Sequence, residues 1–116
     1  LKSIKDFSEI YLYREPVDMR KYRNGLCEIV QNEMDRKVFS KSLFIFTNKR
    51  HKIIRFLYWD DTGFAIWSKT LEKQKYRWPL KLFEQTDLSV SDQDLTNLLK
   101  GIDITTHKKL DYKEVF

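Results

Sequence analysis

"SLFIFTNKRHKIIRFLYWDDTGFAIWSKTLEKQKYRWP", residues 42–79, decides the fold. Two runs, "SLFIFTN" (42–48) and "KIIRFLYWD" (52–60), are dense in β-branched and aromatic residues, and the short polar connector "NKRH" between them predicts a hairpin. "DDTG" (60–63) is a second turn signal and leads into a third strand, "FAIWSKTLE" (64–72). "KQ" offers another turn before "KYRWP" (75–79), which reads as a short fourth strand stopped by Pro79. Connections this short predict an antiparallel meander, and such sheets are expected to bury one face.

Upstream, "IYLYR" (10–14) alternates and predicts a further strand, ended by Pro16. Asp18 suits the N-cap of a following helix, whose apolar residues Met19, Tyr22, Leu26, Ile29, Val30 and Met34 fall at helical spacing. That helix should end near "NEMDRK" (32–37). Gly25 in mid-helix costs about 1 kcal/mol against Ala and suggests a strand in close approach. Arg20, Lys21 and Arg23 crowd the predicted helix start, where the macrodipole already puts positive charge, which reads as a seat for an anion. In the other reading, Asp18 pairs with Arg20 or Lys21 and braces the corner between strand and helix.

Downstream, Ser91 with Asp94 three residues on predicts a second capped helix. Leu95, Leu98 and Leu99 form its apolar stripe, and Gly101 suits the position just past its end. The tail, "ITTHKKLDYKEVF" (104–116), is polar and mixed and is expected to be extended or loosely packed. The whole predicts one α+β domain over 1–116. Its sheet has about five antiparallel strands, with a helix after the first strand and another near the C-terminus. The core runs over about 10–105, with terminal extensions at 1–9 and 106–116.

Totals narrow the function. The 116 residues are 41% hydrophobic and 15% aromatic, enough for a buried core. No apolar run approaches the roughly 18 residues of a membrane span. "LKSIKDFSEI" (1–10) alternates charged and apolar residues and lacks a signal peptide's apolar segment, so a cytoplasmic location is expected. Cys27 is the single cysteine, which excludes a disulfide framework or a Cys-based zinc site within one chain.

The net charge of +5 is unevenly spread. Arg20–Arg55 holds ten Lys/Arg against three Asp/Glu, and Lys69–Lys81 five against one, whereas Leu82–Phe116 holds four against seven. A basic body of this kind suggests an anionic partner such as nucleic acid; the alternative is a soluble protein of high pI with a solvated basic face.

Catalytic chemistry has no assembled signature. His51 and His107 lie in a predicted turn and a tail, without metal-ligand spacing, and Asp60 and Asp61 are explained by the turn. A metal-dependent nuclease would need acids such as Asp18, Asp60 and Glu72 to converge on cations, and their spacing gives no support for it. Three glycines leave no phosphate-cradling loop. No catalytic residue, metal ligand or cofactor is therefore assigned. Binding chemistry is better supplied: Lys49, Arg50 and Lys52 lie at or beside a hairpin tip, and Lys75 and Arg77 alternate with aromatics. Trp59, Trp67 and Trp78 lie on predicted strands, where packing is the commoner role.

Four segments in order, "VDMRKYRNGL" (17–26), "LFIFTNKR" (43–50), "FLYWDDTGFAIWSKTLEKQKYRWP" (56–79) and "LSVSDQDLTNLLKGID" (88–103), carry a resemblance. Together they resemble the small accessory protein, often called TnpB, of the insertion-sequence-66 group of bacterial transposable elements. The likeness spans roughly residues 10–105. The family's D-M-R-K block matches Asp18, Met19, Arg20 and Lys21, while Tyr22 stands where the family usually has a small residue. Trp59, Asp60 and Gly63 match its W-D-x-x-G turn, and Trp78 and Pro79 its R-W-P end.

The resemblance implies a compact protein encoded beside a separate transposase, which holds the catalytic acids. The expectation is a non-catalytic accessory factor for DNA transposition. It would bind nucleic acid through Arg20, Lys21, Arg23, Lys49, Arg50, Lys52, Lys75 and Arg77, with the transposase as a further partner and no membrane. The alternative is a protein-interaction adaptor that docks onto the transposase without touching DNA.

Overall fold

The structure, a computed structural model, describes residues 3–105. The predicted extension 106–116, with His107, lies outside the described residues. The strands are β1 (Glu9–Tyr13), β2 (Ser42–Thr47), β3 (Ile53–Asp60), β4 (Gly63–Thr70) and β5 (Asp87–Val90). The helices are α1 (Arg23–Glu28), which runs on as a π-helical turn over Ile29–Glu33, and α2 (Asp92–Leu99). The fold is α+β with one five-stranded sheet in the order β4-β3-β2-β1-β5.

The meander β2-β3-β4 is antiparallel, as its short connectors require, with Phe44 opposite Leu57 and Asp60 opposite Gly63. The sheet as a whole is mixed, because β1 runs parallel to β2 with Ile10 beside Leu43. A parallel pair needs a long crossover, and α1 supplies it. The fifth strand is not 75–79, which is irregular, but β5, which pairs antiparallel with β1 at the other edge.

Both faces of the sheet are covered, not one. The period of two divides the strand residues between them. Ile10, Leu12, Leu43, Ile45, Ile54, Phe56 and Tyr58 pack under Leu95 and Leu98 of α2 and under Tyr76 and Trp78. Tyr13, Phe44, Phe46 and Leu57 pack under Leu26, Ile29, Val30 and Met34 of the α1 segment. The "KYRWP" segment alternates like a strand because Tyr76 and Trp78 point into the first of these cores. The indole Nε1 of Trp78 donates to the buried Tyr13 carbonyl at 3.1 Å.

α2 begins as the sequence predicts. Ser91 Oγ accepts from the Asp94 N–H at 3.0 Å, and the Asp94 carboxylate accepts from the Ser91 N–H. Gly101 has φ +84, the left-handed conformation a helix terminator needs. α1 begins later than predicted: its cap residue is Tyr22, and Asp18 lies in the turn before it. Gly25 makes room for no strand. A methyl group there would meet Cβ and Cγ of Lys21 at 3.2 Å, so the glycine clears the path of the Lys21 stem.

Candidate nucleic-acid interface

Sheet topology gathers two of the basic segments at one end. The C-terminal ends of β1, β2 and β4 and the N-terminal ends of β3 and β5 meet there. Backbone hydrogen bonds tie the connecting loops to that end. The Val17 N–H donates to the Thr47 carbonyl at 2.8 Å, and the Tyr76 N–H to the His51 carbonyl at 2.7 Å. Lys49 and Arg50 stand exposed on the β2–β3 turn between those two attachments.

On the α2 face of this end lies a hollow of about 770 Å³ lined by Gln74, Lys75, Tyr76, Arg77, Lys100 and Gly101. Tyr76 is its buried anchor, while Lys75, Arg77 and Lys100 are exposed. Lys100 joins the site because α2 runs from the opposite end of the sheet and delivers its last turn beside 74–77. Gly101 matters here, since a methyl group on it would sit 3.2 Å from Gln74 Oε1. Sequence reasoning missed Lys100, and only the basic residue next to the helix terminator hinted at it. His51 stands beside this hollow, its ring centroid 6.4 Å from that of Trp78. Partial burial, helped by the charge of Lys75, holds its imidazole below the usual histidine range.

On the α1 face the loop before the helix is clamped from below. Arg55 of β3 donates through Nη1 to the carbonyls of Met19 at 2.9 Å and Lys21 at 3.0 Å, and through Nε to Ser68 Oγ at 2.8 Å. Arg55 is thus a structural cation. Asp18 Oδ1 accepts from the Arg20 N–H at 2.9 Å, and its Oδ2 from Arg20 Nη2 at 2.6 Å. Those bonds hold the Asp18 carboxyl down at about 2. Of the two readings of the "DMRK" corner, the structure shows the brace. Arg20 and Lys21 precede the helix instead of opening it, and Arg20 carries its own counter-ion.

The predicted cations therefore share neither one face nor one end: Lys49, Arg50, Lys75 and Arg77 gather at this end of the sheet, whereas Arg23 lines a hollow with Phe64 and Ile66 of β4, and Lys21 one with Glu28 and Glu33 along α1. Arg20, Lys21 and Arg23 lie on the α1 side, Lys75 and Arg77 on the α2 side, and Lys49 and Arg50 between them. Lys52 is half-buried, with Nζ donating to the Glu72 carbonyl at 3.4 Å. The opposite end of the sheet carries an excess of acids, with Asp6, Glu9, Asp60, Asp61 and Asp92 around it against Lys5 and Lys41.

The predicted motif residues have structural partners. Trp59 packs edge-on against Phe39 and Phe64, with centroids 4.9 and 5.0 Å away. Asp60 and Gly63 close the β3–β4 turn, and Pro79 is buried ahead of a short 3-10 turn, Leu80–Leu82. Burial raises the Cys27 thiol above its ordinary value, which suits a packing residue and not a thiolate nucleophile.

The family model described as IS66 Orf2 like protein matches residues 8–109. The chain belongs to the IS66 Orf2-like family. It is also 30% identical over 100 residues to y4jC, an uncharacterized protein of Sinorhizobium fredii, covering 86% of this chain and 84% of that relative. No solved structure matches the chain. The IS66 Orf2-like proteins have an accessory role in transposition and are not known enzymes. Among the described residues, no group of three or more His, Cys, Asp or Glu side chains is placed to hold a metal ion. No helix of the described residues is long and apolar enough to cross a membrane.

Proposed function

We propose that this IS66 Orf2-like protein serves transposition in the cytoplasm by binding DNA through the cationic end of its sheet. The observation that carries the reading is the hollow lined by Lys75, Arg77 and Lys100, on a sheet end that also presents Lys49 and Arg50. Three exposed cations around one depression fit a phosphate backbone that passes over it. The buried Tyr76 fixes the floor, and the half-buried His51 stands beside it. Lys21 and Arg23 add positive charge on the α1 face, away from the hollow, while Arg20 contributes less because Asp18 neutralises it. Contacts of this kind read charge and spacing, so binding is weakly sequence-specific and steeply salt-dependent.

The test is a DNA-binding titration across salt concentrations with the wild type and the Lys75→Ala/Arg77→Ala/Lys100→Ala variant. Each lost phosphate contact should reduce the slope of log K against log salt by about 0.9, so the triple variant should lose about 2.7. Undetectable wild-type binding at low salt, or an unchanged slope in the variant, overturns the reading.

A second reading, docking onto the transposase, is favoured by a different observation. Phe39 is 64% exposed although it lies on Trp59 and Phe64, toward the other end of the sheet from Lys49 and Arg50. Phe39→Ser should abolish salt-resistant co-purification with the transposase in that case and leave DNA binding intact.

A further inference from the structure

The long open edge of the sheet points to a partner. β4 and its neighbour β3 are joined by a two-residue turn, Asp61–Thr62, which closes on the Asp60–Gly63 pair. Alternation then fixes the direction of every peptide group along β4. Gly63, Ala65, Trp67 and Lys69 turn their N–H and C=O groups inward to β3, while Phe64, Ile66, Ser68 and Thr70 turn theirs outward.

Among the described residues no recorded backbone hydrogen bond reaches those outward groups. The chain leaves β4 on the inner side, where the Leu71 N–H donates to the Lys52 carbonyl at 2.8 Å. Edge strands are ordinarily blunted by charge, proline, a bulge or shortness. β4 has eight residues, and "GFAIWS" (63–68) carries no charge and no proline. The opposite edge strand, β5, has only four residues and carries Asp87.

Charge selects the occupant. β4 starts at the acidic turn Asp60–Asp61 and ends at Lys69, inside the cationic end of the sheet. A second copy of the same strand laid antiparallel sets each Lys69 beside the other copy's acidic turn, whereas a parallel copy sets like charges together. One two-fold register, centred on Ala65, satisfies the side chains as well. It places Phe64 opposite Ile66, Trp67 opposite Gly63 and Lys69 opposite Asp61, and it pairs the outward peptide groups with one another.

We infer that the β4 edge is a self-association surface, through which two copies of this chain join antiparallel into one continuous sheet. The two cationic ends then point in opposite directions, and the acidic turns are covered by the partner's Lys69. The surface is independent of the proposed DNA contact, and its test contains no DNA.

The test is a charge swap read by sedimentation. The first variant is Lys69→Glu. The second is Asp60→Lys/Asp61→Asn, in which Asn tolerates the left-handed conformation at 61 (φ 54). Wild type should dimerise reversibly, each variant alone should dimerise at least tenfold more weakly, and their equimolar mixture should recover the dimer. Amide exchange gives a second reading that needs no substitution. The Phe64, Ile66 and Ser68 N–H groups should be protected in concentrated protein and lose protection on dilution. A monomeric wild type at high concentration overturns the inference, even if β4 accepts an extended segment of another protein. So do a dimer indifferent to both variants, folded variants whose mixture fails to pair, and exchange at β4 that does not depend on concentration.

Discussion

Arg20 holds Asp18 through Nε at 2.9 Å and Nη2 at 2.6 Å, and the Asp18 carboxylate also caps the Arg20 N–H. The pair is solvent-exposed, so its worth lies in shape more than in stability. It turns the chain between Val17, bonded to the β2–β3 hairpin, and Tyr22, which caps α1. A carboxyl lowered to about 2 keeps its contribution above the ordinary 3.8 and loses it as pH falls through 2. The Asp18 carboxyl should titrate near 2 by NMR, and should rise only part of the way to its ordinary value in Arg20→Ala, because the backbone N–H of residue 20 still donates to it. Because Asp18 neutralises Arg20, Arg20→Ala should change the salt slope of DNA binding less than Lys75→Ala does, and Asp18→Asn should steepen it.

Arg55 ties its own strand to two pieces of chain far away in sequence, the loop that carries the Met19 and Lys21 carbonyls and the Ser68 hydroxyl of β4. A guanidinium does this because its donors form a fixed planar fork, which a lysine lacks. Arg55→Lys should lower unfolding stability by at least about 1.5 kcal/mol, the scale of one hydrogen bond to a charged group. Arg55→Met should cost more and also loosen the loop that carries Lys21. Urea unfolding with amide exchange at 19–22 checks both.

The parts of this fold that were legible in the sequence are those whose chemistry is local. The β2-β3-β4 meander announces itself through Asp60-Asp61-Thr62-Gly63, and α2 through Ser91, Asp94 and Gly101, because each signal and its consequence lie within a few residues. The start of α1 misled because Asp18 has the right side chain for a cap and spends it on Arg20 instead. β5 is four residues long, too short for alternation to show, and exists because β1 offers it a free edge. "KYRWP" imitated a strand because Tyr76 and Trp78 alternate toward a core built by α2. The cationic end was legible as charge, but its hollow was not, since it needs the end of α2 beside residues 74–77.

Among the described residues, Trp78 carries the one polar contact that fastens that segment to β1. Its indole N–H satisfies a Tyr13 carbonyl that water cannot reach. Trp78→Phe keeps most of the packing and leaves the carbonyl unpaired, so it should cost about 1–3 kcal/mol in urea unfolding. The same change should weaken DNA binding, because the segment it releases carries Lys75 and Arg77. A variant that loses stability but binds DNA with an unchanged salt slope would separate the two roles.

His51 reports on the cationic end from inside it. Its imidazole is held below the ordinary 6.5 first by burial and then by the positive charge of Lys75. The sign of the linkage follows. The unfolded chain takes up the proton more readily, so the contribution of neutral His51 to stability is complete above about 6.5 and is lost as pH falls through the lower folded value. His51→Phe should flatten that limb of the stability profile. Lys75→Ala should raise the His51 midpoint part of the way to 6.5, since burial remains. DNA phosphate brought to the same hollow should raise it as well, by supplying negative charge beside the ring. An NMR titration of the His51 ring, free and with a short duplex, therefore tests the placement of the phosphate as well as the origin of the shift.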